Sequence, residues 1–186
     1  MNFNKFFRKG ILALLVAATA LVACSKDSDD NYELKYGTIT INGVERKIIA
    51  ARYGIEDEEN EDYNLYLALA KEEGIMLSLN KKLHMNGSNI RLYQEETAHG
   101  GYYWGVTYTI SQDNNNWDKE IFSASGNPNL NKLFSQGTLT VSGSPKKGIT
   151  ISLKDGKVKG IDKENDQEKE YSLSINFNGA MRLIYK

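Results

Sequence analysis

Few side chains in this sequence could carry covalent or acid–base chemistry. There is one thiol, Cys24, and there are two imidazoles, His84 and His99. Glu95 and Glu96 precede His99 in Glu95-Glu96-Thr97-Ala98-His99-Gly100-Gly101, a grouping that would suit a metal ligand set or an acid–base pair. A glutamate and a histidine three residues apart share a face only on a helix, however, and Gly100-Gly101 marks the segment as a loop between strands. No catalytic role is assigned there. His84, beside Asn86-Gly87, is expected on a partly exposed strand. The sequence contains neither a Gly-x-Ser-x-Gly nucleophile elbow nor a phosphate-binding glycine loop.

Oxygen ligands are more abundant. Glu56-Asp57-Glu58-Glu59-Asn60-Glu61-Asp62 holds six acids, and Asp113-Asn114-Asn115-Asn116-Trp117-Asp118 is a second oxygen-rich loop. Ca²⁺ is the metal such loops would take, but neither spacing fits a calcium-binding loop, and a run of like charge reads first as a solvated connection. No cofactor is therefore expected. Two of these carboxylates could still form the pair of a hydrolase, Ca²⁺-assisted or not; that reading would require two acids about 5 to 10 Å apart in a cleft.

The aromatic side chains offer binding chemistry. After residue 24 the chain carries 11 Tyr, 2 Trp and 3 Phe. In Tyr102-Tyr103-Trp104 the rings alternate between the two faces of one strand. With Trp104 in the core, Tyr103 lies outside, and together with Trp117 it is the candidate surface for stacking on a sugar ring or a peptide.

The elements that would position these groups are strands. Tyr102, Trp104, Val106, Tyr108 and Ile110 fall on one face, with Tyr103, Gly105, Thr107 and Thr109 on the other. The same period of two recurs in Ile75/Leu77/Leu79, Ile149/Ile151/Leu153, Leu173/Ile175/Phe177 and Met181/Leu183/Tyr185. One-sided burial of this kind belongs to antiparallel sheets. Asn42-Gly43, Asn86-Gly87, Asp155-Gly156 and Asn178-Gly179 are each candidates for a tight type I′ hairpin turn. The expected fold is all-β, an antiparallel, hairpin-rich sandwich or barrel of about ten strands. One short helix is expected near residues 128–135, where Asn127-Pro128 precedes Leu130, Leu133 and Phe134. Tyr63–Ala70 reads as a strand that turns through Lys71–Gly74, although its Leu-Ala composition also suits a helix. Gly37–Gly43 and Gly137–Gly143 match at all seven positions when conservative exchanges are allowed. Either a Gly-bounded edge strand or a duplicated strand–hairpin unit would produce that echo.

Charge narrows the partners. With 23 Lys+Arg against 24 Asp+Glu the chain has no basic excess to neutralise phosphates, so no nucleic-acid partner is expected. A single cysteine excludes an intramolecular disulfide and a cysteine-rich zinc site.

The first residues read as an address. Lys5, Arg8 and Lys9 precede thirteen residues, Ile11–Ala23, whose only polar member is Thr19. That run is too short for a membrane span, which takes about 20 apolar residues, and it reads as a signal peptide. Leu21-Val22-Ala23-Cys24 resembles the bacterial lipobox, and the polar Ser25-Lys26-Asp27-Ser28-Asp29-Asp30 resembles the acidic export signal of surface lipoproteins of Bacteroidota. The resemblance, carried by residues 1–30, is to small all-β lipoproteins of that group. It implies removal of residues 1–23 and lipidation of Cys24 by diacylglycerol and N-acylation. It also implies a polar tether over 24–35, a domain over 36–186, and an outer-membrane, cell-surface location. The part that remains has 20 Lys+Arg and 24 Asp+Glu, a net of −4. The expected protein is a lipid-anchored, non-enzymatic binding or accessory module with a glycan or protein ligand. Carbohydrate binding within a glycan-uptake system is the second reading.

Overall fold

The computed structural model describes residues 37–97, 100–111, 118–127 and 129–185. Its elements are β1 (Thr38–Ile41), β2 (Val44–Lys47), β3 (Ala50–Asp57), β4 (Asp62–Ala70), β5 (Glu73–Asn80), α1 (Lys81–His84) and β6 (Asn86–Arg91), followed by β7 (Gly105–Ser111), β8 (Asp118–Ser125), β9 (Gln136–Ser144), β10 (Gly148–Ile161), β11 (Glu168–Gly179) and β12 (Arg182–Tyr185). The strands form two six-stranded sheets, ordered β2-β1-β11-β10-β9-β6 and β12-β3-β4-β5-β7-β8. The architecture is a sandwich and not a closed barrel.

Alternation builds the core. Trp104, Val106 and Tyr108 are buried from one face of the β7 segment, and Leu65, Leu67 and Leu69 are buried from β4, which is a strand as its period of two requires. Ile39, Leu139, Ile151 and Phe177 meet them from the first sheet. Trp104, Phe134 and Phe122 pack edge-on, with ring centroids 6.3 Å and 6.2 Å apart. Such pairs add to plain area burial.

The sequence echo has a counterpart in the sheet. β1 lies beside β11 and β9 lies beside β10, so the two copies flank the β10–β11 ribbon on opposite sides. Ile39 and Leu139 point into the core, while Thr38, Thr40, Thr138 and Thr140 are half-buried on the other face.

Three of the expected hairpin turns are something else. Asn42 and Gly43 have φ of 51° and 79° and do form the tight turn between β1 and β2. Asp155, φ 53°, instead sits inside β10, where the register with both neighbours shifts. The left-handed residue there creates a β-bulge that lets one long strand bend without ending. Asn86-Gly87 begins β6 after α1, and Asn178-Gly179 ends β11 before the chain crosses to the other sheet. The helix expected over 128–135 is not formed. Asn127 O accepts from Leu130 N and Asn131 N, a single turn, after which the backbone of Lys132 and Phe134 turns to β8 and Leu92. Pro128 itself lies outside the described residues. The short helix of this fold is α1.

β12 departs from its sequence pattern as well. Met181 is buried, but the register with β3 shifts between Leu183 and Tyr185, and both of those residues are exposed. The strand runs parallel to β3 as the edge of the second sheet.

Candidate functional site

At Asn80 the chain leaves β5 and must supply partners for the first amides of α1. An asparagine does this well, because its side-chain oxygen reaches the next turn. Asn80 Oδ1 accepts from Lys82 N and Leu83 N at 3.1 and 3.2 Å, and its Nδ2 donates to Asn60 O at 2.7 Å and Asp62 Oδ1 at 2.8 Å. The cap also sets the ring of His84, four residues on. The Asn80 backbone N–H donates to His84 Nδ1 at 2.8 Å.

His84 is 1% exposed, in α1 and not on a partly open strand as its sequence context implied. Its Nε2 lies 2.7 Å from Glu96 Oε1. The second carboxylate oxygen, Oε2, accepts the Trp104 backbone N–H at 3.0 Å, and the Glu96 backbone N–H donates to Gly126 O at 3.0 Å. Gly126 is small of necessity: a Cβ there would lie 2.7 Å from Trp104 Nε1 and 2.9 Å from Glu96 Oε2. Because Nδ1 is occupied as an acceptor, the ring proton is on Nε2 and is donated to Glu96. Both nitrogens are committed. The imidazole has no lone pair to offer a substrate, so the pair is a clasp joining α1 to the loop before β7.

Glu96 therefore finds its histidine across the fold. Its partner His84 lies twelve residues earlier in the chain, and Glu95 is exposed. His99 lies outside the described residues. Above the clasp is a concavity of about 600 Å³, and Lys82, Asn86, Asn89, Arg91, Gln94 and Glu95 are among its lining residues. Its chemistry is hydrogen bonding at the rim over a sealed floor.

The acidic run is organised by local donors. Asp57 accepts from Asn60 N at 3.0 Å and Asn60 Nδ2 at 2.7 Å, which holds its carboxyl below the usual range. Glu61 pairs with Lys81, whose ammonium likewise lowers its carboxyl. Burial raises Asp62 above the ordinary value, against the bond from Asn80. Among the described residues no three His, Cys, Asp or Glu side chains converge on a point that could hold a metal ion.

A second polar cluster lies on the outer face of the second sheet, where sequence reading assigned nothing. Gly54, Asn64, Ser78, Gly105 and Ser125 stand opposite one another on successive strands. Tyr185 folds over Gly54, where a Cβ would lie 2.2 Å from the ring. Its hydroxyl donates to Glu56 Oε1, and Asn64 Nδ2 donates to the same oxygen at 2.6 Å and to Tyr185 Oη at 3.1 Å. Tyr66 Oη is 3.0 Å from Tyr185 Oη, and Ser78 Oγ donates to Asn64 Oδ1 at 2.7 Å. Tyr66 could have been found from the sequence, since it occupies the outward phase between Leu65 and Leu67.

Of the residues singled out by sequence, Tyr103 is half-buried just before β7, not an open plate. Trp117 and Cys24 lie outside the described residues. Comparison of the chain with protein-family models, with curated proteins and with solved structures gives no match.

Proposed function

We propose that this chain is a lipid-anchored protein of the outer membrane, exposed at the cell surface, whose sandwich is a non-enzymatic binding or accessory module. The anchoring part rests on the sequence, on Leu21-Val22-Ala23-Cys24 and the polar residues after it. One acyl chain holds a protein on a membrane only marginally, whereas the two or three carried by such a cysteine hold it firmly.

The observation that carries the non-enzymatic part is the saturation of His84. A general base needs a free nitrogen within reach of substrate, and here Asn80 N–H and Glu96 take both. The acids of the 56–62 run favour the same reading over a hydrolase. Glu56, Asp57, Glu61 and Asp62 accept from Tyr185, Asn60, Lys81 and Asn80, so they stabilise a hairpin and a sheet face.

Cell fractionation with and without the thiol tests the anchoring. The wild-type chain should sediment with membranes and take up a palmitate analogue, and Cys24→Ala should do neither. A Cys24→Ala protein that still sedimented and still labelled would refute the anchor.

A further inference from the structure

The outer face of the second sheet also carries a shallow hollow of about 440 Å³ beside the tyrosine cluster. Ala68 and Gly74, opposite each other on β4 and β5, form its floor. Tyr66, Met76 and Thr107, level with one another on β4, β5 and β7, stand along one side, and Thr109 of β7 continues the row of Ala68 and Gly74. The small floor makes the hollow. Larger side chains at 68 and 74 would fill it, and at Gly74 a Cβ would meet Leu67 O at 2.9 Å.

Proton accounting in the adjoining cluster gives it a direction. Tyr185 gives its one hydroxyl proton to Glu56, so Tyr66 must donate in the Tyr66–Tyr185 contact. Asn64 Nδ2 spends both protons on Glu56 and Tyr185, and Ser78 spends its proton on Asn64. What the cluster turns outward is therefore acceptors: lone pairs on Tyr66 Oη and on the Glu56 carboxylate. Such a cluster invites a ligand that brings hydroxyl donors, and because Glu72 and Glu73 outnumber Lys71 in the lining of the hollow, an anionic ligand is disfavoured. An apolar floor flanked by a tyrosine ring, with acceptors at its border, complements a pyranose ring that has one C–H face and an edge of hydroxyls.

We propose that this hollow binds a neutral polysaccharide, with one sugar ring seated on Ala68 and Gly74 against Tyr66 and Met76 while its hydroxyls donate to Tyr66. The proposal rests on the reading of the sandwich as a binding module and names its ligand class. The three strands that line the hollow, about 4.8 Å apart, give it a width of about 10 Å, enough for one or two sugar rings of a longer polymer.

The test uses the full-length protein in detergent micelles and affinity gel electrophoresis through soluble neutral glucans, mannans and galactans, with polygalacturonate as the anionic probe. At least one neutral polymer should retard the protein and polygalacturonate should not. Tyr66→Ala, which removes the ring, and Thr109→Arg, which fills the hollow from the end of its floor, should each weaken retardation at least about tenfold. Arg91→Ala, at the other concavity, should leave it unchanged. Far-UV circular dichroism identifies any variant that fails to fold, and Thr109→Arg then stands in for Tyr66→Ala, or the reverse. Retardation that survives in both folded variants, retardation by polygalacturonate alone, or none by any neutral polymer overturns the glycan proposal. If the same protein still sediments with membranes through Cys24, the anchored-module reading survives that failure.

Discussion

His84 Nε2 meets Glu96 Oε1 at 2.7 Å while His84 Nδ1 accepts the Asn80 N–H at 2.8 Å, so a buried imidazole is held from both sides by groups twelve and four residues away. The clasp ties the end of β5, the helix α1 and the approach to β7 into one unit. Its role in this account is structural, and that has consequences for stability.

His84→Ala should cost about 3 to 4 kcal/mol, because it leaves a cavity, an unpaired carboxylate oxygen and an orphaned amide at Asn80. Glu96→Gln should cost less, about 1 to 2 kcal/mol: the amide oxygen can still accept from His84, but its NH₂ cannot accept from Trp104 N–H. Urea unfolding followed by tryptophan fluorescence reads both. Equal midpoints for all three proteins would mean that the clasp contributes nothing.

Glu73 links the two sheets. Arg46 of β2 pairs with its Oε1, and Tyr108 Oη donates to the same oxygen at 2.5 Å. Burial raises the Glu73 carboxyl, but the bonds from Arg46 and Tyr108 outweigh it and hold the group below the ordinary 4.5. A carboxyl depressed in the folded state stabilises the fold above its unfolded pKa, and that stabilisation is lost as pH falls through the folded value. The urea midpoint should thus fall on acidification below about pH 4.5. Glu73→Gln should flatten that part of the profile, and a profile unchanged by the substitution would remove Glu73 from the account.

The two glycines that bound β1, Gly37 and Gly43, should behave differently. A Cβ at Gly37 would lie 1.4 Å from the Asn176 carbonyl oxygen, so Gly37→Ala must displace β1 from β11 and should cost at least about 3 kcal/mol. At Gly43, φ is +79° but no atom lies within 4 Å of the added carbon. Gly43→Ala should cost only about 1 kcal/mol, the strain of the left-handed conformation. Thermal unfolding by calorimetry ranks the two, and the reverse order would contradict the register of β1.

Glu168 accepts from Lys132 and Lys159 at 2.8 and 2.9 Å, which pulls its carboxyl down to about 2. All three side chains are more than half exposed, so water and salt screen the pairing. Glu168→Gln should leave the thermal midpoint nearly unchanged, although an NMR titration of wild type should find this carboxyl still ionised near pH 3. A large loss of stability would show that the surface triad matters more than its exposure implies.

Much of the sandwich is legible in the sequence because one-sided burial writes a period of two, as in Trp104, Val106 and Tyr108. Turn chemistry is less legible. Asn42-Gly43 and Asp155-Gly156 look alike as dipeptides, since a hairpin and a bulge ask for the same left-handed backbone, and only the partner strands decide between them. Local pattern also misled at 127–134, where the capped turn closes once and tertiary bonds to β8 and Leu92 then outcompete helix. The clasp was not legible, because Glu96 reaches His84 through a contact made by folding. Its one local trace is Asn80, a capping residue placed just before Lys81–His84. Tyr185 was masked by an apolar alternation that the register shift in β12 breaks.

The anchor remains the claim on which the protein's place in the cell depends, and intact-mass spectrometry of the chain extracted from membranes tests it most directly. Lipid anchoring predicts a chain that begins at Cys24 and carries a thioether-linked diacylglycerol with an acylated amine. A chain that begins elsewhere, or one that begins at Cys24 without lipid, would contradict it.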